Sequence, residues 1–244
     1  MFLNSVDSQE KIVGDEDKVV KAGLEVVFRP VADLIQKIAG PAAEEFGLTL
    51  KDHVRLVRLK RQVRLWQRAK EFLEQAGIDP KRVPLKLLGP IIESGSLEED
   101  DLLQDKWAAL LANAAAGHED EIHPSFVQVL KQVSALEAHF LDVLFSLRHH
   151  RGPRGEGRLD DGQVITGMFP ALKNELSTKM QRVKVADIRH KFDEAGLNLN
   201  LDRLGVVKVE KLGAEVFWYE MTRFGLRFVG ACQSPKKEAT ASHA

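Results

Sequence analysis

Apolar positions fall at helical spacing along most of this chain. Leu24, Phe28, Val31, Ile35 and Ile38 recur at four- and three-residue steps, with Val27 and Leu34 beside them. Pro30 interrupts that pattern, removing a backbone donor and crowding the preceding turn, which predicts a kink or two short helices. Gly40-Pro41 punctuates again, so two or three short apolar helical pieces are expected up to Gly47. The clearest element runs from about Thr49 to Gln75. Thr49 or Asp52 can cap it, Gly77 can end it, and Leu56, Leu59, Val63, Trp66 and Leu73 form its apolar stripe. Gly77-Ile78-Asp79-Pro80 is a turn, followed by a helix from about Leu85 to Glu93. Ser96, with Glu99 three residues on, predicts a capped helix carrying Leu102, Leu103, Trp107, Leu110 and Leu111, ending near Gly117. Pro124 suits the first turn of the next helix, and Ser134 with Glu137 opens another through Phe140, Leu144 and Leu147.

The grammar changes at residues 151–162, where four glycines and a proline read as a linker or exposed loop. Helical segments from about Thr166 to Met180 and Val185 to Ala195 follow. Val206 to Val209 and Val216 to Tyr219 then alternate around Lys211-Leu212-Gly213-Ala214, a β-hairpin signal. Thr222-x-x-Gly225 leads into a last apolar segment, Leu226 to Ala231. Helices, a hairpin and a closing helix together look like a winged helix. The expected fold is mainly α. A disordered N-terminus (1–15) precedes a multi-helical domain (16–150). The Gly-rich segment (151–162) leads to a winged-helix-like α+β domain with a small β-hairpin (163–232), and a disordered tail closes the chain (233–244).

Several of these segments resemble the abortive infection alpha (Abi-alpha) family. They are Leu103-Gln104-Asp105-Lys106-Trp107-Ala108-Ala109-Leu110-Leu111-Ala112-Asn113-Ala114, Val83-Pro84-Leu85-Lys86, Ser96-Leu97-Glu98-Glu99-Asp100, His123-Pro124-Ser125-Phe126, Leu130-Lys131-Gln132-Val133-Ser134 and Thr222-x-x-Gly225-x-x-Phe228. Their order and spacing match over roughly residues 50 to 230. The resemblance implies a bacterial, predominantly helical protein associated with phage defence. It carries no enzymatic chemistry onto named residues.

Composition narrows the classes. Lys plus Arg is 35 and Asp plus Glu is 36 in 244 residues, which excludes a globally basic nucleic-acid binder but not a local basic face. One cysteine, Cys232, excludes an intrachain disulfide and fits a reducing compartment, so a cytoplasmic protein is expected. The start, Met1 to Asp7, does not read as a secretory leader, and no apolar run of about 18 residues predicts a membrane span.

Charge is concentrated on the helix at residues 51–70. Lys51, Arg55, Arg58, Lys60, Arg61, Arg64, Arg68 and Lys70 face a single acid, Asp52. At about 100° per residue, Arg58, Lys60, Arg61, Arg64 and Arg68 gather opposite the apolar stripe. Such a stripe can be a solvated face, hold phosphates, or meet an acidic protein or anionic lipid surface. The same chain offers Glu93, Glu98, Glu99, Asp100, Asp101 and Asp105 between Pro90 and Asp105 with no base. These acids can cap a helix, or meet the basic helix within one molecule or across a dimer. A second candidate surface is Gln181, Arg182, Lys184, Arg189, His190 and Lys191, with a wing near Lys208 to Lys211. It can read DNA, dock a protein or be purely structural.

No nucleophile elbow, phosphate loop or dinucleotide fingerprint occurs, and Cys232 has no histidine near it in sequence. His118 to His123 and His149-His150 read more economically as an interhelical loop and a helix C-terminus than as metal ligands. The expectation is a non-enzymatic interaction protein with no cofactor, metal or small-molecule substrate. Its partner is another protein or a second copy, with a nucleic-acid-binding regulator or a membrane-associated effector as alternatives.

Overall fold

The computed structural model describes residues 29–39, 53–117, 122–149, 151–152, 155–156, 158–169, 187–192, 196–212 and 216–236. The expected loose N-terminus, most of the C-terminal tail, Gly40–Gly47 and the second half of the Thr166–Met180 segment lie outside them.

The chain is mostly helical. A 3-10 turn, Arg29–Val31, places Pro30 directly ahead of α1 (Ala32–Ala39), and the apolar positions before Arg29 lie outside the described residues. Next come α2 (His53–Ala76), α3 (Leu85–Gly95), α4 (Asp101–Ala115), α5 (Ser125–Leu130) and α6 (Ala135–Ser146). Gly77, at φ 64°, takes the left-handed position that ends α2. The capping box at Ser134 and Glu137 forms as the sequence predicts. The Ser96 expectation does not hold. Ser96 ends α3, donating its hydroxyl to the Glu93 carbonyl, and α4 is capped by Asp100, whose carboxylate accepts from Leu102 N and Leu103 N. The Glu98 carboxylate holds the amides of Glu99 and Asp100, and this extra turn moves the helix start four residues on.

The Gly-rich segment contains structure. Arg151–Gly152 (β1) pairs with Gly155–Glu156 (β2), and Arg158–Asp160 forms a third strand, β3. Asp160 then caps α7 (Asp161–Met168) through a capping box with Gln163. That box starts the helix five residues before the expected Thr166, inside the segment composition assigns to a linker. Residues 187–192 form α8, followed by α9 (Leu197–Arg203), β4 (Val207–Leu212), β5 (Val216–Met221) and α10 (Arg223–Ala231). The predicted hairpin is β4–β5, and β3 adds an edge strand the pattern did not reveal. The sheet is antiparallel in the order β3-β5-β4, with Leu159 and Val209 both opposite Tyr219.

Helix α4 lies at the centre. Leu103, Trp107, Leu110 and Leu111 are buried, and so are Ala108, Ala109, Ala112, Ala114 and Ala115, so the helix is covered on nearly every side. Its alanines let neighbours approach closely. The buried apolar residues form one cluster running from Val31 on the first turn to Cys232 after α10. Phe140 of α6 packs edge-on against Tyr219 of β5, with ring centroids 4.9 Å apart, and Phe126 of α5 meets Phe224 and Phe228 of α10. The core is therefore continuous across the Gly-rich segment.

Candidate interaction surfaces

Helix α2 turns Val63, Leu65, Trp66, Ala69 and Leu73 into the core. Its cationic stripe then faces the start of α4. Arg61 Nη2 meets Glu99 at 2.9 Å and its Nη1 donates to the Leu97 carbonyl. Arg64 meets Asp101 at 2.5 Å. Arg68 forks onto Asp105, at 2.9 and 3.1 Å, and also reaches Glu71. The partners ascend together, 61 to 99, 64 to 101 and 68 to 105, so α2 and α4 run parallel and the three pairs form a ladder along their seam. Hydrogen bonds to Asp105 and then Glu71 raise the Arg68 pKa still further, so the guanidinium stays charged at any ordinary pH. Arg58 donates to the Ser96 hydroxyl at 2.8 Å.

The five-cation stripe therefore does not project as an open surface. Three of its members are ion-paired within the molecule and a fourth is hydrogen-bonded. Lys60 is exposed and forms no ion pair with another described residue. The acidic run and the basic helix do form one interface, and it is intramolecular.

The second candidate surface is less complete. Arg182, Lys184 and Gln181 lie outside the described residues. On α8, Lys191 pairs with Asp187 at 3.1 Å, His190 is exposed and Arg189 is partly buried and engaged. The wing is mixed in charge. Arg158 on β3 reaches Glu210 of β4 at 2.7 Å and Glu220 of β5 at 3.5 Å, and Lys208 stands opposite Glu220. His123 accepts from Ser125 N through Nδ1, the capping role its loop position suggests, while His118 lies outside the described residues. Among the described residues, no group of three or more His, Cys, Asp or Glu side chains is placed to hold a metal, and no helix is long and apolar enough to cross a membrane.

Sequence reasoning missed what the polar residues of α4 do. Gln104 donates to the Gly95 and Glu98 carbonyls, fixing the turn after α3. Asp105 holds Arg68 of α2. Lys106, buried, reaches Asp142 of α6 at 2.5 Å. Asn113 donates its amide to the carbonyls of Ala231, the last residue of α10, and Gln233 just beyond it. Gln233 in turn donates to Asp142 at 2.7 Å. Gln233, the first residue of the expected tail, is thus tied to two helices. Beside this knot Cys232 is fully buried, and desolvation pushes its thiol up to about 12, against the lowering effect of Lys106. The signal available in the sequence was the run of polar residues at 104–106 and 113 on an otherwise apolar, alanine-rich helix.

Two further sets of contacts close the fold. Asn200 of α9 donates to Glu137 at 2.7 Å and to the Gln132 carbonyl at 3.0 Å. Thr222 donates to the Gly205 carbonyl and accepts from Gly225 N. A Cβ on Gly225 would lie 1.9 Å from the Val206 carbonyl oxygen, so only glycine lets α10 approach the backbone entering the hairpin.

One surface segment stands apart. Residues 78–84 connect α2 to α3 without regular structure, held by Lys81 N on the Ala115 carbonyl and Val83 N on the Ile38 carbonyl. Val83 is buried, whereas Lys81, Arg82, Pro84, Leu85 and Lys86 are exposed. Lys81, Arg82 and Lys86 form no ion pair with another described residue.

No curated protein and no solved structure matches the chain. The abortive infection alpha family model matches residues 60–232, which spans the α2–α4 ladder, the polar knot on α4 and α10. With well over half of its length covered, the chain belongs to the abortive infection alpha family.

Proposed function

We propose that this protein is a non-enzymatic, cytoplasmic bacterial protein that acts in abortive infection by docking a macromolecular partner. Family membership supports the abortive-infection part. The observation that carries the docking part is the contrast between two cationic regions. Three cations of the α2 stripe are ion-paired and a fourth is hydrogen-bonded inside the molecule, whereas Lys81, Arg82 and Lys86 stand exposed near Leu85 in the chain with no described acid paired to them. Their backbone is fixed on both sides, so little ordering is needed on association.

The C-terminal part resembles a winged helix in its strand order, the first strand pairing with the last. Acids Glu210 and Glu220 on its wing favour a protein-facing role over phosphate contact there.

The test is expression of the chain in phage-sensitive bacteria, scored by phage yield and survival over a panel of phages. The native chain should lower the yield from at least one phage, with loss of the infected cells. Arg82→Glu/Lys86→Glu, folded to the same melting temperature, should lose that effect. Equal protection by both chains, or none by either, overturns the proposal.

A further inference from the structure

We infer that the exposed segment 81–86 is a docking site for an acidic protein segment carrying apolar side chains, an inference that rests on the docking reading above. The chain from Pro80 to Ile92 has three cations and no acid. Asp79, the nearest acid before it, is occupied by Lys37 at 2.7 Å, a contact whose hydrogen bond raises the Lys37 pKa. Among the described residues, no acid is paired to these three cations. The patch also presents Leu85, 50 % exposed at the first position of α3, and Pro84 beside it. Val83 is buried, and its neighbours Arg82 and Pro84 are exposed.

Three partner classes compete for such a surface. An anionic membrane gains about 1 kcal/mol per juxtaposed cation and is bound through clusters of about four to eight. Three cations and one leucine fall short of that. Single-stranded nucleic acid is held by aromatic platforms as well as cations, and 81–86 contains no aromatic residue. A protein segment needs only what is present: charge to steer it, an arginine to pair with a carboxylate, and an apolar contact at the centre. Here Arg82 and Lys86 lie on either side of the exposed Leu85 in the chain, and Lys81 lies against Gly117 just beyond α4, so a segment carrying both carboxylates and an apolar side chain is complementary.

The experiment uses the full chain and fluorescence anisotropy. Four probes are compared at low and physiological salt: a labelled peptide of repeating Glu-Glu-Leu, its Gln-Gln-Leu counterpart, a labelled single-stranded oligonucleotide, and labelled vesicles of phosphatidylserine and phosphatidylcholine. Saturable binding of the Glu-Glu-Leu peptide is expected, weakened by salt and absent for the Gln-Gln-Leu peptide. Arg82→Glu/Lys86→Glu should weaken it about tenfold or more. Leu85→Asp should weaken it as well, and Arg64→Ala should leave it unchanged. Stronger binding of the oligonucleotide or the vesicles overturns the inference, as does peptide binding that ignores the 82 and 86 substitutions. If the infection assay depends on residues 82 and 86 but the acidic peptide is not bound, the partner class falls and docking stands. If neither readout depends on them, both fall.

Discussion

The buried pair Lys106–Asp142 should be far more costly to break than any pair of the α2 ladder. Its nitrogen and oxygen are 2.5 Å apart, and the two side chains are 9 % and 27 % exposed. The corresponding values for Arg64 and Asp101 are 52 % and 77 %. Removing one member of a buried pair typically costs about 3–5 kcal/mol, because the other is left uncompensated. An exposed pair contributes about 0–1 kcal/mol. Lys106→Met leaves Asp142 with its Gln233 bond and partial access to water, which places the cost near the lower end, about 3 kcal/mol. Asp142→Leu strands an almost dry ammonium and should cost more, about 4 kcal/mol. Urea unfolding followed by circular dichroism reads both. With roughly 2–4 °C of melting temperature per kcal/mol at this chain length, each single change is also visible in a thermal scan. Lys106→Met/Asp142→Leu, which removes both charges, should be less destabilised than either single change. Two single costs under about 1 kcal/mol, or a double variant that simply adds them, would refute the reasoning.

Other consequences follow from packing and caps. Gly225→Ala should cost about 3 kcal/mol because the obstacle is the Val206 backbone, whereas Gly95→Ala should cost less, its closest obstacle being the movable end of Leu65; urea midpoints rank the two. Asp100→Ala should lower stability by about 1 kcal/mol as a lost helix cap, and equal stability of that variant and the native chain would return the cap to Ser96. Cys232, buried with its thiol pushed up to about 12, should react with thiol reagents only as the chain unfolds; immediate labelling at neutral pH would contradict the knot. Because the folded thiol holds its proton above the ordinary value of 9.0, its contribution to stability is full below pH 9 and is lost as pH rises toward 12.

Elements announced by local chemistry were legible in the sequence. Helix α2, the Ser134–Glu137 box and the hairpin follow from periodicity, capping residues and alternation, all of which act within a few residues. The family resemblance also survived, since it rested on several ordered segments. What stayed hidden depended on distant partners. Strand β3 is three residues long, follows a Gly-rich stretch and exists because β5 offers it an edge. The acids that could meet the cationic face of α2 were legible, but they lie thirty-odd residues ahead, so only the parallel packing of α2 and α4, which brings Arg68 to Asp105, decides for pairing within one molecule. The polar residues of α4 carry no local sign of their partners, which for Lys106 and Asn113 are on α6 and at the end of α10. Segment 81–86 was legible only as part of the family resemblance at Val83-Pro84-Leu85-Lys86, and not as a charged surface, because that depends on which described residues pair with it.

Three of the α2 cations are ion-paired within the molecule, and the forked Arg68–Asp105 pair tests this most directly. Arg68→Glu should lower the urea midpoint, by repulsion from Asp105 and Glu71, and the deficit should shrink with added salt. Arg68→Glu/Asp105→Arg, with the charges exchanged, should recover most of the loss. An unchanged midpoint for Arg68→Glu would make the stripe a solvated face, and a loss that the exchange does not recover would show that Arg68 acts through something other than Asp105.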